Sequence, residues 1–258
     1  MSSGFASMVR SDLGKIGKIA VLGTVMGCFL CIFINNISIS AIAMSPAMGS
    51  TSLKSYLTMA GAIHTLIVGL GCAAVLWILP GMRGQKADDS SSGVKSGLAA
   101  IAIASLAVEL VILAVHCAMV LIKNGSMDGY EFLPIAYAGF FFLDLFFAGL
   151  GLMGHGLSDE PMKALGVAGG VGGWCLLMSM FALMGSATFV MVGAGADWCT
   201  GFRAVTIFGL MDVDSLMSIG TSAADYSCLW ETALILVLAA IVIAAGWHLL
   251  RRKDASAV

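Results

Sequence analysis

Two carboxylates sit inside apolar sequence that has no ordinary use for them. Asp144 lies within FFFLDLFF, residues 140–147, and Glu109 within IASLAVELVILAVH, residues 103–116. Ser105, Glu109 and His116 are spaced by four and seven residues, so a helix over this stretch puts all three on one face. His64 stands in another apolar stretch, TMAGAIHTLIVGLG. Carboxylates and imidazoles are the side chains that take up and pass on protons. Two carboxylates that meet in an apolar setting share a proton, because both cannot ionise cheaply.

The elements that position these groups follow from composition. The chain has 258 residues, 59% of them hydrophobic and 11% charged, with a mean hydropathy of +0.99. Soluble domains carry about 25% charged residues, so the chain reads as membrane-embedded. With no basic stripe or tail, nucleic acid is not an expected partner. Six apolar runs are long enough to cross a bilayer, at residues 16–44, 56–79, 97–122, 132–155, 162–193 and 229–250. Ala41-Ile42-Ala43 has the form of a signal-peptidase site, but the preceding segment is too long for a signal-peptide core and reads as a retained first helix.

The expected fold is therefore an all-α integral membrane protein, a single polytopic domain over residues 1–258 forming a six-helix bundle. Arg10, Lys15, Lys18, Arg83, Lys86, Lys95, Lys163, Arg251, Arg252 and Lys253 fall on the side of the N-terminus, against Lys54, Lys123 and Arg203 on the other. This positive-inside bias places both termini on the cytoplasmic side. The outer side carries Asp128, Glu131, Asp197, Asp212, Asp214, Asp225 and Glu231, a field that attracts cations.

On this layout Glu109 and Asp144 both lie about twelve residues into their antiparallel spans, near the bilayer midplane. A charge there costs roughly 2.5–3.5 kcal/mol even on insertion scales, so both should point into the bundle. His64 and His116 fall in the outer half of neighbouring spans. A polar track of His64, His116, Glu109 and Asp144 is the resulting ion or proton pathway candidate, with Ser105 beside it and Asn35 and Asn36 adding amides on span one. The alternative is that these groups only hydrogen-bond between helices and fix their packing.

The long outer loop, residues 194–228, begins near Asp197-Trp198-Cys199 and closes on Cys228-Leu229-Trp230. A Cys199–Cys228 disulfide stapling it is expected on the oxidising side, and VTIFGLMDVDSLMSI between them suits a short helix on the membrane surface. Span five opens with GVAGGVGG, in which Gly166 and Gly170, and Gly169 and Gly173, form overlapping GxxxG pairs for close helix packing, within the chain or between chains.

Cofactors are not expected, with two possibilities kept open. His64 and His116 form an outer pair and His155 and His248 an inner one, which is the arithmetic of a b-type cytochrome holding haem b, although the spacing departs from that pattern. Met178, Met180, Met184 and Met191 near Cys175 offer soft ligands for copper, but methionine as core filler accounts for them as well. No Walker A loop, HExxH or G-x-S-x-G occurs, so no catalytic residue is assigned.

Three functions fit. The leading one is a non-catalytic membrane subunit or scaffold, working through helix contacts with other subunits or copies of itself and through a disulfide-closed outer loop. The next is a proton- or cation-handling transporter or channel using Glu109 and Asp144. The last is a haem-binding redox subunit using His64 and His116.

Overall fold

The computed structural model describes residues 3–44, 57, 61–82, 90–158, 160–185, 193, 195–211, 213–219 and 225–256. Among these, six helices are long and apolar enough to cross a membrane, and there is no strand. We call them α1 (Ser3–Met44), α2 (61–82), α3 (Ser91–Asn124), α4 (Leu133–Leu157), α5 (Pro161–Met184) and α6 (Ser227–Ser256).

Local sequence sets the ends. Ser90 caps α3 by accepting a hydrogen bond from Gly93 N at 3.0 Å. Gly125 ends the helix in the left-handed conformation, φ 75°, its N–H returned to Leu121 O. Pro134 and Pro161 start α4 and α5 within the first turn, where a missing N–H costs nothing. α5 stops at Met184, short of the expected 193, because the chain turns at Gly185 to meet Thr200 and Cys199.

α4 is the central helix. In its most apolar window 72% of residues are buried, against 22% for α1 and for α6. This explains FFFLDLFF: a helix surrounded on all sides is apolar on all sides. Its glycines let neighbours close in. A Cβ at Gly154 would collide with the Ala164 carbonyl of α5, and Gly149 lies against Ile243 of α6. α2 is not a regular α-helix. Leu66–Leu70 and Ala74–Ile78 are π-helical turns on either side of Gly71–Ala73.

The segment after α5 also departs from expectation. Asp197–Val205 and Ile207–Leu210 are 3₁₀ helices and Val213–Ser218 is a short α-helix. Ile207, Phe208, Met211 and Leu216 belong to the main core, and Met211 packs on Gly139 of α4. The segment tucks into the bundle instead of lying on a surface. Thr206 fixes it by donating a hydrogen bond from Oγ1 to Cys175 O of α5 at 2.9 Å.

The expected disulfide is not there. Cys199 and Cys228 are both buried and neither is bridged. Cys199 is held in the 3₁₀ stretch against Gly185, whereas Cys228 sits in the first turn of α6, its thiol directed at Asp225 O at 3.9 Å. Ser215 Oγ takes the Cys228 backbone N–H at 3.3 Å. Each end of the segment is thus secured by packing and hydrogen bonds of its own.

Candidate functional site: the buried carboxylate cluster

α3 presents Ser105, Glu109, Ile112 and His116 to the interior, while Leu106, Leu110 and Val111 are exposed. The face expected from the spacing is the buried one. α4 brings Asp144, which is completely buried, against Glu109 and Ser105. α2 brings His64, whose Nε2 is 2.8 Å from Glu109 Oε1 with both side chains buried. Cys72 of α2 is buried near Asp144.

Sequence reasoning missed what makes this approach possible. A Cβ at Gly69 would collide with the backbone carbonyl of Asp144, so only glycine lets α2 come this near to α4. Gly61 likewise makes room for the Phe140 ring. Gly69 lies within the π turn Leu66–Leu70, which begins two residues after His64. Its wider winding lets both face the α3–α4 side, which residues five apart on an α-helix would not do.

His64 and His116 do not form a pair. His116 Nδ1 is 3.1 Å from the Tyr137 hydroxyl, and the rings follow one another edge-on as His64, Phe140, Tyr137 and His116. Two aromatic rings therefore stand between the imidazoles, and His64 Nε2 is turned to Glu109. The expected track divides into a His64–Glu109–Asp144 cluster and a separate His116–Tyr137 contact. Tyr137, Phe140 and Asp144 are three and seven residues apart on α4, a signal available in the sequence.

The other candidates lie elsewhere. Met178 is buried, whereas Met180 and Met184, one turn apart on α5, are both exposed. Met191 lies outside the described residues, as do the side chains of Asn35 and Asn36. Gly166, Gly169, Gly170 and Gly173 have nothing within 4 Å of where a Cβ would stand, so they take no part in packing within the described chain.

In the cluster the hydrogen bonding is incomplete. Asp144 Oδ1 and Oδ2, Glu109 Oε2 and Ser105 Oγ are buried together, within reach of one another but without well-formed hydrogen-bond geometry. A carboxylate oxygen only accepts, so two ionised acids cannot satisfy each other; a carboxyl proton gives the group a donor. No known protein family, curated protein or solved structure matches this chain.

Proposed function

We propose that the protein is a proton-handling membrane protein, a transporter or channel, in which His64, Glu109 and Asp144 take up and release a proton inside the bundle. The observation that carries this reading is the meeting of two buried carboxyl groups, Asp144 and Glu109, beside Ser105, with no well-formed hydrogen bond among them. Charge counting supports it. With His64 as imidazolium, one ionised carboxylate and one protonated carboxyl, the cluster is neutral. Removing a single proton leaves it at −1, a state costly in low dielectric and poised to be refilled. The excess of acids over bases on the proposed outer side would feed it.

The test is proton flux into proteoliposomes containing a pH-sensitive dye, driven by a potassium diffusion potential. Wild-type protein should acidify the lumen, and Asp144→Asn, eluting and melting like wild type, should not. Wild-type flux equal to that of empty liposomes would overturn the reading.

One observation favours a second reading, a membrane subunit acting through helix contacts. The glycines of α5 form an outward strip with open space above it, where a second helix could approach closely. Native mass spectrometry from mild detergent separates the two, since a subunit would carry other polypeptides or further copies with it.

A further inference from the structure

A cavity of about 830 Å³ opens beside the 3₁₀ segment, between α4, α5 and α6. Volumes of about 300–1,000 Å³ are those of small-molecule sites. Both flanking helices pack on α4 toward its C-terminal end, at Gly154 and Gly149, and near its middle they part around Phe146.

The chemistry of the walls is graded. Glu231, Leu234 and Leu238 recur at three and seven residues on α6 and all line the cavity, so its α6 wall begins acidic and becomes apolar with depth. Phe146 lies opposite on α4. Thr200 and Arg203 of the 3₁₀ segment supply the remaining polar rim. Trp230, beside Glu231 in α6, and Trp198, two residues before Thr200, are 77% and 72% exposed. Exposed tryptophans mark the headgroup level of a bilayer. Arg203 and Glu231 are therefore at headgroup depth, with the leucines and Phe146 beneath them at acyl depth.

We propose that this cavity is a binding site for one zwitterionic phospholipid of the ethanolamine type. Its phosphate is held by Arg203, its ammonium by Glu231, and one acyl chain runs along Leu234, Leu238 and Phe146. A headgroup of single sign would meet one attracting and one repelling residue, whereas phosphate and ammonium together meet both. Arg203 already donates from Nη2 to Gly209 O at 3.5 Å. A guanidinium carries five donors, enough to hold that carbonyl and a phosphate together, and a carboxylate can accept from more than one donor. A primary ammonium donates hydrogen bonds to Glu231, which a choline headgroup cannot do.

The experiment is native mass spectrometry of the full chain in mild detergent, titrated separately with dioleoyl phosphatidylethanolamine, phosphatidylcholine and phosphatidylglycerol. One phosphatidylethanolamine per chain should be retained in preference to the other two. Arg203→Gln and Glu231→Gln should each weaken retention about tenfold, the loss of one charge-assisted hydrogen bond. Leu234→Trp should abolish it by filling the cavity, and Leu234→Met, as the folding control, should keep it. Phosphatidylglycerol bound as tightly as phosphatidylethanolamine, or bound better after Glu231→Gln, would overturn the proposal in favour of an anionic lipid. Equal retention of all three, unchanged by Leu234→Trp, would overturn it in favour of unspecific boundary lipid.

Discussion

The chain buries two aspartates in opposite ways. Asp12 of α1 has both oxygens engaged: Lys15 Nζ donates to Oδ1 at 2.8 Å, and Ser96 Oγ of α3 donates to Oδ2 at 2.7 Å. Asp144 of α4 is fully buried and meets only Ser105 and a second acid, Glu109, with no well-formed hydrogen bond to either oxygen. Asp12 stands in a salt bridge whose lysine is 55% exposed, so water shares its solvation. Asp144 has no such outlet. A satisfied carboxylate ties two helices together and has nothing further to gain by changing protonation. An unsatisfied one does, and the contrast separates a fastening from a site.

The sharpest break between the two is functional. Asp144→Asn should lower proton flux on the order of 100-fold, the scale of a lost proton-transfer group. Asp12→Asn should leave the flux unchanged in the same assay, and equal loss in both would erase the distinction.

Next in size is the seam that delivers α2 to Asp144. Gly69→Val drives a side chain into the Asp144 carbonyl and should destabilise the fold by about 3 kcal/mol, the upper range for overpacking. Thermal unfolding in detergent reads this as a lowered midpoint. Gly170→Val on the open strip of α5 should leave the isolated chain's midpoint where it was.

The smallest effects sharpen the Asp12 side. Ser96→Ala leaves a buried carboxylate oxygen without its donor and should cost about 1–3 kcal/mol. Lys15→Ala removes only the exposed partner and should stay within about 0.5 kcal/mol. A reversed order would mean that the ion pair within α1, and not the hydroxyl from α3, is the larger support of Asp12.

Much of this was legible in the sequence. The six apolar helices follow from hydropathy, and the α3 face of Ser105, Glu109 and His116 follows from spacing alone. His64 on Glu109 did not, because which helices touch depends on where backbones can approach, and that was decided by Gly61 and Gly69. These stand in no GxxxG motif. The overlapping pairs at Gly166–Gly173 face away from the bundle, whereas the pair Gly23 and Gly27 of α1 packs on Val68 and Ile112. Spacing rules identify a small-residue face without saying whether the chain itself covers it. The disulfide failed for a related reason: matching positions at the two ends of a loop say nothing of how each end is packed. The expected first span starts at residue 16 and leaves Asp12 outside it, because hydropathy does not register that α1 begins at Ser3 and carries Asp12 against α3.

The most direct test of a shared proton between Glu109 and Asp144 is infrared difference spectroscopy across a pH step, on protein in lipid with isotope-labelled aspartate. The account predicts a protonated-carboxyl band from a buried acid that shifts with the label, disappears in Asp144→Asn, and moves in Glu109→Gln. A wild-type spectrum with no such band at any pH, or one that Asp144→Asn leaves unaltered, would contradict it.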